Sequence, residues 1–263
     1  MFGKSKKISI FSNISTFSLT YILLIIYSIV CFYNQKWLYG ILGILAIIVI
    51  RILTGKLKVK DGDVVFVFGL PGSGKTMFLA KIADDNKNRN ICVNAELDHI
   101  KIEHTLINKE MLANYRFGCE DKGALILYDE VSLDGFDNRD FKTNFSGERG
   151  QKLLEAFKKT RHRYTAFVLA NQGYNEVDVK IRSGLCKCAY WVINKGRYSV
   201  AVRLDKAIKI NELTGEPQDV YLKPNLIKRI ISPSCYIYIN HKKYGKLYNT
   251  INDDTPYYFK KSE

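Results

Sequence analysis

The feature that most constrains the fold is a glycine-rich stretch that follows a short apolar run. Val64 to Phe68 form the run, and the next eight residues, GLPGSGKT, fit the pattern G-x-x-x-x-G-K-[ST]. Glycines in this pattern let backbone N–H groups converge on phosphate oxygens, and the next helix points its positive N-terminal end at the same anion. The stretch predicts a phosphate-binding loop, the P-loop, formed by Gly69, Leu70, Pro71, Gly72, Ser73, Gly74, Lys75 and Thr76.

The last two residues of the P-loop have separate predicted roles. Lys75 is expected to reach the β- and γ-phosphates of a bound nucleotide, and the Thr76 hydroxyl is expected to hold Mg²⁺. An amphipathic segment, KTMFLAKIA, follows and predicts the helix that the motif requires. The predicted cofactors are therefore ATP and Mg²⁺.

Two carboxylates follow a second apolar run. Ala124 to Tyr128 predict a buried strand that delivers Asp129 and Glu130 at its C-terminal end, 54 residues after Lys75. Open parallel sheets place their ligand chemistry at that end. Asp129 is expected to bind the metal together with Thr76, and Glu130 is expected to act as the general base on an attacking water.

A polar pair ends a third strand candidate, Ala166 to Ala170. Asn171 and Gln172 follow it, and Gln172 is a candidate for orienting the attacking water or sensing the γ-phosphate. The alternative is a simple strand cap. A ring ATPase also completes its site with an arginine from the neighbouring subunit. Arg182 is the first candidate for this role, with three alternatives, Arg139, Arg149 and Arg163.

Strand-like and helical runs alternate from residue 61 to 197, which predicts an α/β domain with a mainly parallel sheet and crossover helices. Residues 198–263 change to β-type patterns. They predict a β-rich C-terminal extension, either on the edge of the sheet or as a small appended subdomain.

The N-terminal 60 residues have a different composition. They contain eight Lys or Arg and no Asp or Glu, and two long apolar runs lie among them. The runs predict a membrane anchor, residues 1–60, with transmembrane helices at about 14–33 and 37–53. The positive-inside rule then predicts that both termini face the cytosol. The alternatives are one span with an interfacial segment, a signal peptide, and a buried soluble hairpin.

The order of these motifs resembles the Zot-like ATPases, a family that includes zonular occludens toxin and the gene I assembly protein of filamentous phage. That family belongs to the broader FtsK/HerA class of DNA-pumping ATPases. The resemblance covers about residues 61–195. It rests on Gly69–Thr76, Asp129-Glu130, Arg161-His162, Gln172 and Arg182.

The resemblance implies a RecA-like P-loop NTPase in the host inner membrane, working as a homo-oligomeric ring that is expected to be a hexamer. Its implied partners are single-stranded DNA and phage coat or assembly proteins, and its implied activity is ATP-driven extrusion of phage DNA. Familiar family members place one span after the ATPase domain, whereas this chain has its predicted spans before it. Two other functions stay open: conjugative transfer or packaging of DNA, and a nucleotide-switched membrane scaffold without motor activity.

Overall fold

The computed structural model of the chain describes residues 16–134, 152, 155–177, 181, 185–210 and 217–247. Its helices are α1 (Thr16–Tyr33), α2 (Trp37–Thr54), α3 (Lys75–Asp85), α4 (Lys109–Asn114), α5 (Leu226–Ile231) and α6 (His241–Tyr244). Its strands are β1 (Val64–Phe68), β2 (Asn90–Val93), β3 (Thr105–Leu106), β4 (Ala124–Tyr128), β5 (Thr165–Asn171), β6 (Cys188–Asn194), β7 (Tyr198–Ile210), β8 (Pro217–Leu222) and β9 (Tyr236–Asn240). The chain divides into two compact units.

One unit contains α1, α2 and α5. Two glycines of α2 let α1 approach closely. A Cβ atom on Gly43 would lie 2.1 Å from the Ser28 hydroxyl oxygen, and one on Gly40 would lie 2.8 Å from the Phe32 ring. Larger residues at these two positions would therefore push the two helices of the hairpin apart.

The predicted membrane spans are wrong, and so is the predicted localisation in the host inner membrane with both termini in the cytosol. Within the part of the chain that the structure describes, no helix combines the length and the apolar character needed to cross a bilayer. Both α1 and α2 have 18 residues.

The other unit is built on a nine-stranded sheet with the order β3-β2-β4-β5-β1-β6-β7-β8, in which β9 also pairs with β7. Strands β1 to β6 pair in parallel, whereas β7 is antiparallel to β6, β8 and β9. The predicted α/β class with a mainly parallel sheet is confirmed, and it fits a RecA-like P-loop fold. The strands after residue 198 extend the same sheet at its edge, while the boundaries at residues 60 and 197 stay a prediction.

The central strands are apolar because both faces of the sheet are covered. Val65 and Val67 of β1 pack on one face with Phe78 of α3. Phe66 of β1 and Tyr128 of β4 are fully buried in a second core on the opposite face. These two cores hold β1, β4 and β5 rigidly side by side.

The register brings the carboxyl ends of the parallel strands to one edge. Phe68, the last residue of β1, pairs with Asn171 on one side and Trp191 on the other, while Tyr128 pairs with Leu169. The P-loop, the acidic pair and Gln172 directly follow these ends. They therefore share the edge at which open parallel sheets bind ligands.

Candidate functional site

The P-loop connects β1 to α3 through two glycines in the left-handed region. Gly72 has φ +70° and Gly74 has φ +93°. Gly74 is the N-cap of α3 and brings no side chain to its first turn. The positively polarised N–H groups at the start of this 11-residue helix are therefore left for an anion.

One polar atom and one open space in the loop fit a phosphate ligand. Among the described residues, the buried Ser73 hydroxyl oxygen has no hydrogen-bond partner. The space where a Cβ of Gly72 would lie is open to a distance of 4 Å. A buried polar atom without a partner is unfavourable, so a polar ligand at this loop would relieve that cost.

Lys75 is buried beneath the loop. Its Nζ donates to the Gly69 carbonyl at 2.9 Å and to the Leu70 carbonyl at 3.3 Å. Burial lowers the pKa of Lys75, and the charges of Asp129, Glu130 and Glu176 oppose that shift. The ammonium therefore lies where an anionic phosphate would compensate for its lost hydration.

The Thr76 hydroxyl and the Asp129 carboxylate, both predicted metal ligands, meet at the start of α3. Thr76 Oγ1 donates to Asp129 Oδ2 at 2.8 Å, and the Glu130 N–H donates to Asp129 Oδ1 at 3.0 Å. Burial raises the pKa of Asp129, while these two hydrogen bonds oppose the shift. Hydroxyl and carboxylate oxygens are hard ligands that suit Mg²⁺.

The described residues contain no group of three or more His, Cys, Asp or Glu side chains that could hold a metal ion. Magnesium in nucleotide sites uses one or two protein carboxylates plus substrate phosphates and water. The Thr76–Asp129 pair therefore fits a magnesium ion that enters together with a nucleotide.

Glu130 and Gln172 also lie together. Glu130 has φ +47°, which is uncommon for a residue other than glycine. The Gln172 side-chain amide donates to Glu130 Oε1 at 3.0 Å. The contact holds the carboxylate beside the acidic strand end, while the proposed roles of both residues stay predictions.

The predicted arginines lie mostly outside the described residues. This holds for the first candidate, Arg182, and for the alternatives Arg139 and Arg149. Arg163 is described: its N–H donates to the Lys159 and Thr160 carbonyls in the turn before β5. The role of an arginine supplied in trans therefore stays a prediction.

Two asparagines that the sequence analysis did not assign to the site support the acidic pair. Asn94 follows β2 and is buried; its amide donates to the Asp129 carbonyl at 2.8 Å and accepts from the Asp129 N–H at 3.0 Å. Asn171 accepts from the Ser132 hydroxyl at 2.8 Å and donates to Glu176 at 2.6 Å. In the sequence, the signal that could have identified these two asparagines was their position at the ends of predicted strands.

Two further polar side chains contact the P-loop from the opposite side. Asn194 and Ser199 lie on the β6–β7 hairpin and donate to the Gly72 and Ser73 carbonyls. The sequence analysis assigned neither residue to the site. The P-loop is thus held between acidic groups on one side and neutral donors on the other.

Comparison with known proteins found similarity only among solved structures. No family model matches the chain, and no curated protein matches it. The N-terminal domain of zonular occludens toxin from Neisseria meningitidis is 17% identical, with a TM-score of 0.43, and the match covers 65% of this chain and 97% of that one. The predicted resemblance to the Zot-like ATPases is confirmed as a likeness to a solved structure from that family.

Two other matched structures are an archaeal virus protein and an archaeal accessory protein. The genome packaging NTPase B204 from Sulfolobus turreted icosahedral virus 2 is 13% identical, with a TM-score of 0.39, covering 65% of this chain and 99% of that one. The flagellar accessory protein FlaH from Methanocaldococcus jannaschii is 12% identical, with the same TM-score, covering 63% and 92%. At these identities, the matches concern the fold alone.

Proposed function

We propose that this chain binds ATP with Mg²⁺ and hydrolyses it. The observation that carries the proposal is the 2.8 Å hydrogen bond between Thr76 of the P-loop and Asp129 at the end of β4. These residues are 53 positions apart in sequence, yet their oxygens meet beside the N-terminus of α3. A hydroxyl and a carboxylate at that point suit a metal held against a triphosphate.

The residues of the loop would bind the phosphates. Backbone N–H groups at the start of α3 and the Lys75 ammonium would supply positive charge to the phosphates. Thr76 and Asp129 would hold Mg²⁺, which neutralises negative charge that develops on the phosphate oxygens. Lys75 would exchange its contacts with the Gly69 and Leu70 carbonyls for phosphate oxygens.

Glu130 would accept a proton from the attacking water. Its Oε1 already accepts from Gln172, which leaves Oε2 free to face a water molecule. Asn94 and Asn171 would keep the backbone around Asp129 and Ser132 in place during turnover. Hydrolysis would therefore depend on the Glu130 carboxylate to accept the proton. The neutral side chains of Gln172, Asn94 and Asn171 would hold that carboxylate and the neighbouring backbone in position.

We further propose that hydrolysis is coupled to movement of DNA, with single-stranded phage DNA as the first candidate. The resemblance of residues 61–195 to the Zot-like ATPases supports this coupling. A homo-oligomeric ring, completed by Arg182 from a neighbouring subunit, and coat or assembly proteins as partners belong to the same proposal. Conjugative transfer, packaging, and a nucleotide switch without motor activity are the alternatives.

The test measures phosphate release by the purified full-length chain, with and without single-stranded DNA. Glu130→Gln keeps the shape of the side chain but cannot accept the proton, and kcat should fall by about 100-fold to 10,000-fold. Glu96→Gln is the matched control, because Glu96 is exposed on a short 3₁₀ helix, Ala95–Leu97. This control should leave kcat unchanged.

The outcomes separate the functions. DNA-stimulated hydrolysis that Glu130→Gln abolishes supports the motor, whereas tight ATP binding with negligible turnover supports the switch. A wild-type chain that binds no ATP contradicts the proposal. The neighbouring genes then separate the cargoes: genes for small single-span coat peptides favour phage assembly, and a relaxase gene favours conjugation.

A further inference from the structure

The β6–β7 hairpin contacts the P-loop at two successive carbonyls. Asn194 and Ser199 face each other in the antiparallel register of the hairpin. The Asn194 amide donates to the Gly72 carbonyl at 2.9 Å, and the Ser199 hydroxyl donates to the Ser73 carbonyl at 2.7 Å. A directly opposed pair of side chains therefore holds two adjacent peptide units of the loop.

Each donor is held in its orientation by a further contact. The Asn194 side-chain oxygen accepts from the Gly196 N–H at 2.7 Å, which turns the amide nitrogen toward Gly72. His241 Nε2 lies 2.7 Å from the Ser199 hydroxyl oxygen. Because that hydroxyl has one hydrogen, which it donates to Ser73, the His241 nitrogen must be the donor to Ser199.

His241 reaches the hairpin from a different part of the sheet. It begins α6 directly after β9, and its backbone N–H donates to the Arg197 carbonyl at 3.4 Å. The Asn240 side chain caps this helix by accepting from the Lys243 N–H at 3.2 Å. The C-terminal strands are thereby connected to the P-loop through His241 and Ser199.

We propose that Asn194 and Ser199, with His241 acting through Ser199, are positioning residues that preset the P-loop for a triphosphate. The Ser73–Gly74 peptide is trans, so its N–H points away from its carbonyl. With the carbonyl held by Ser199, the Gly74 N–H is directed away from the hairpin. The inference deepens the proposed function and rests on it.

The contact is too close to be incidental. Ser199 is fully buried, and a Cβ atom at Gly74 would lie 2.6 Å from its hydroxyl oxygen. A Cβ at Gly69 would lie 2.6 Å from the Val192 carbonyl of β6. Two of the motif glycines are thus needed for the approach of β6 and β7 as well as for the loop itself.

The test compares Ser199→Ala and Asn194→Ala with Val200→Ala in the full-length chain. Val200 follows Ser199 on β7 and faces the opposite side of the sheet, so its truncation controls for lost stability. Equilibrium titration with a non-hydrolysable ATP analogue gives Kd, turnover assays give kcat and KM, and thermal unfolding gives Tm. Ser199→Ala and Asn194→Ala should each raise the Kd for the nucleotide about threefold to tenfold and raise KM by the same factor, with kcat nearly unchanged.

Substitutions of His241 provide a second test, which leaves every residue of the β6–β7 hairpin unchanged. His241→Gln retains an N–H donor and should keep the wild-type Kd, whereas His241→Leu should weaken binding as Ser199→Ala does. If Ser199→Ala and His241→Leu lower Tm as Val200→Ala does but leave Kd unchanged, the role is structural and the inference is wrong. If the wild-type chain binds no nucleotide, the proposed function fails and the inference falls with it.

Discussion

The two sides of the P-loop differ in the chemistry that they present. Strands β4 and β5 bring two carboxylates and a glutamine to the loop, and Asp129 directly contacts Thr76. Hairpin β6–β7 brings an amide and a hydroxyl, both of which contact backbone carbonyls of the loop. The first side can act on a bound phosphate, whereas the second can only determine the shape of the loop that receives it.

The comparison predicts that substitutions on the two sides change different kinetic constants. Groups that act on the reacting phosphate should alter kcat, and groups that shape the loop should alter nucleotide affinity and KM. The largest effect on nucleotide affinity should come from Lys75, since it lies between the two sides and carries the positive charge.

Two buried lysines of α3 give the sharpest contrast. Lys75→Met removes a charge meant for phosphate and should weaken ATP binding by about 10-fold to 100-fold, while lowering Tm less than Lys81→Met does, because it leaves only neutral carbonyls without their donor. Lys81→Met should do the reverse, because Lys81 forms a buried ion pair with Asp85 at 2.8 Å. Leaving that carboxylate unpaired should cost about 3–5 kcal/mol of unfolding free energy.

Calorimetric titration with ATP and thermal unfolding of both variants provide the measurement. Equal losses of affinity in the two variants would mean that α3 as a whole, and not the Lys75 charge, governs nucleotide binding. That result would remove the distinction on which the comparison depends.

A smaller effect is expected at Gln172. Its amide positions the Glu130 carboxylate, so Gln172→Ala should lower kcat by about threefold to tenfold while KM stays nearly constant. Steady-state kinetics of Gln172→Ala and Ser199→Ala would then differ: the first variant should change kcat and the second should change KM. An increase in KM with unchanged kcat in Gln172→Ala would mean that Gln172, like Ser199, only shapes the loop, and the predicted difference between the two sides would be wrong.

The parts of the fold that depend on local pattern could be predicted from the sequence. The strand at Val64–Phe68 and the strand at Ala124–Tyr128 have the predicted bounds, since each is a short apolar run ended by a glycine or an acid. The start of a helix is harder to predict from apolar spacing, and α4 begins at Lys109. Asn108 caps it by accepting the Met111 N–H, a capping signal that the apolar spacing did not reveal.

The parts that depend on distant contacts could not be predicted in this way. Asn194 and Ser199 lie more than 120 residues after the carbonyls that they contact, and in the sequence they resemble ordinary residues near a turn. Their pairing with each other follows from the short hairpin turn, but the approach of the hairpin to the P-loop depends on the strand order of the sheet, in which β6 lies beside β1. The apolar N-terminal runs do form helices, α1 and α2, but the prediction that these helices cross a membrane is wrong.

The central claim is that a magnesium–ATP complex binds between the P-loop and Asp129, and the most direct measurement is the Mg²⁺ dependence of ATP binding. Titrations of the wild-type chain and of Asp129→Asn would be compared in Mg²⁺ and in EDTA. The account predicts that Mg²⁺ tightens ATP binding to the wild-type chain and that Asp129→Asn abolishes this gain. Equal affinity in Mg²⁺ and EDTA for the wild-type chain would contradict it.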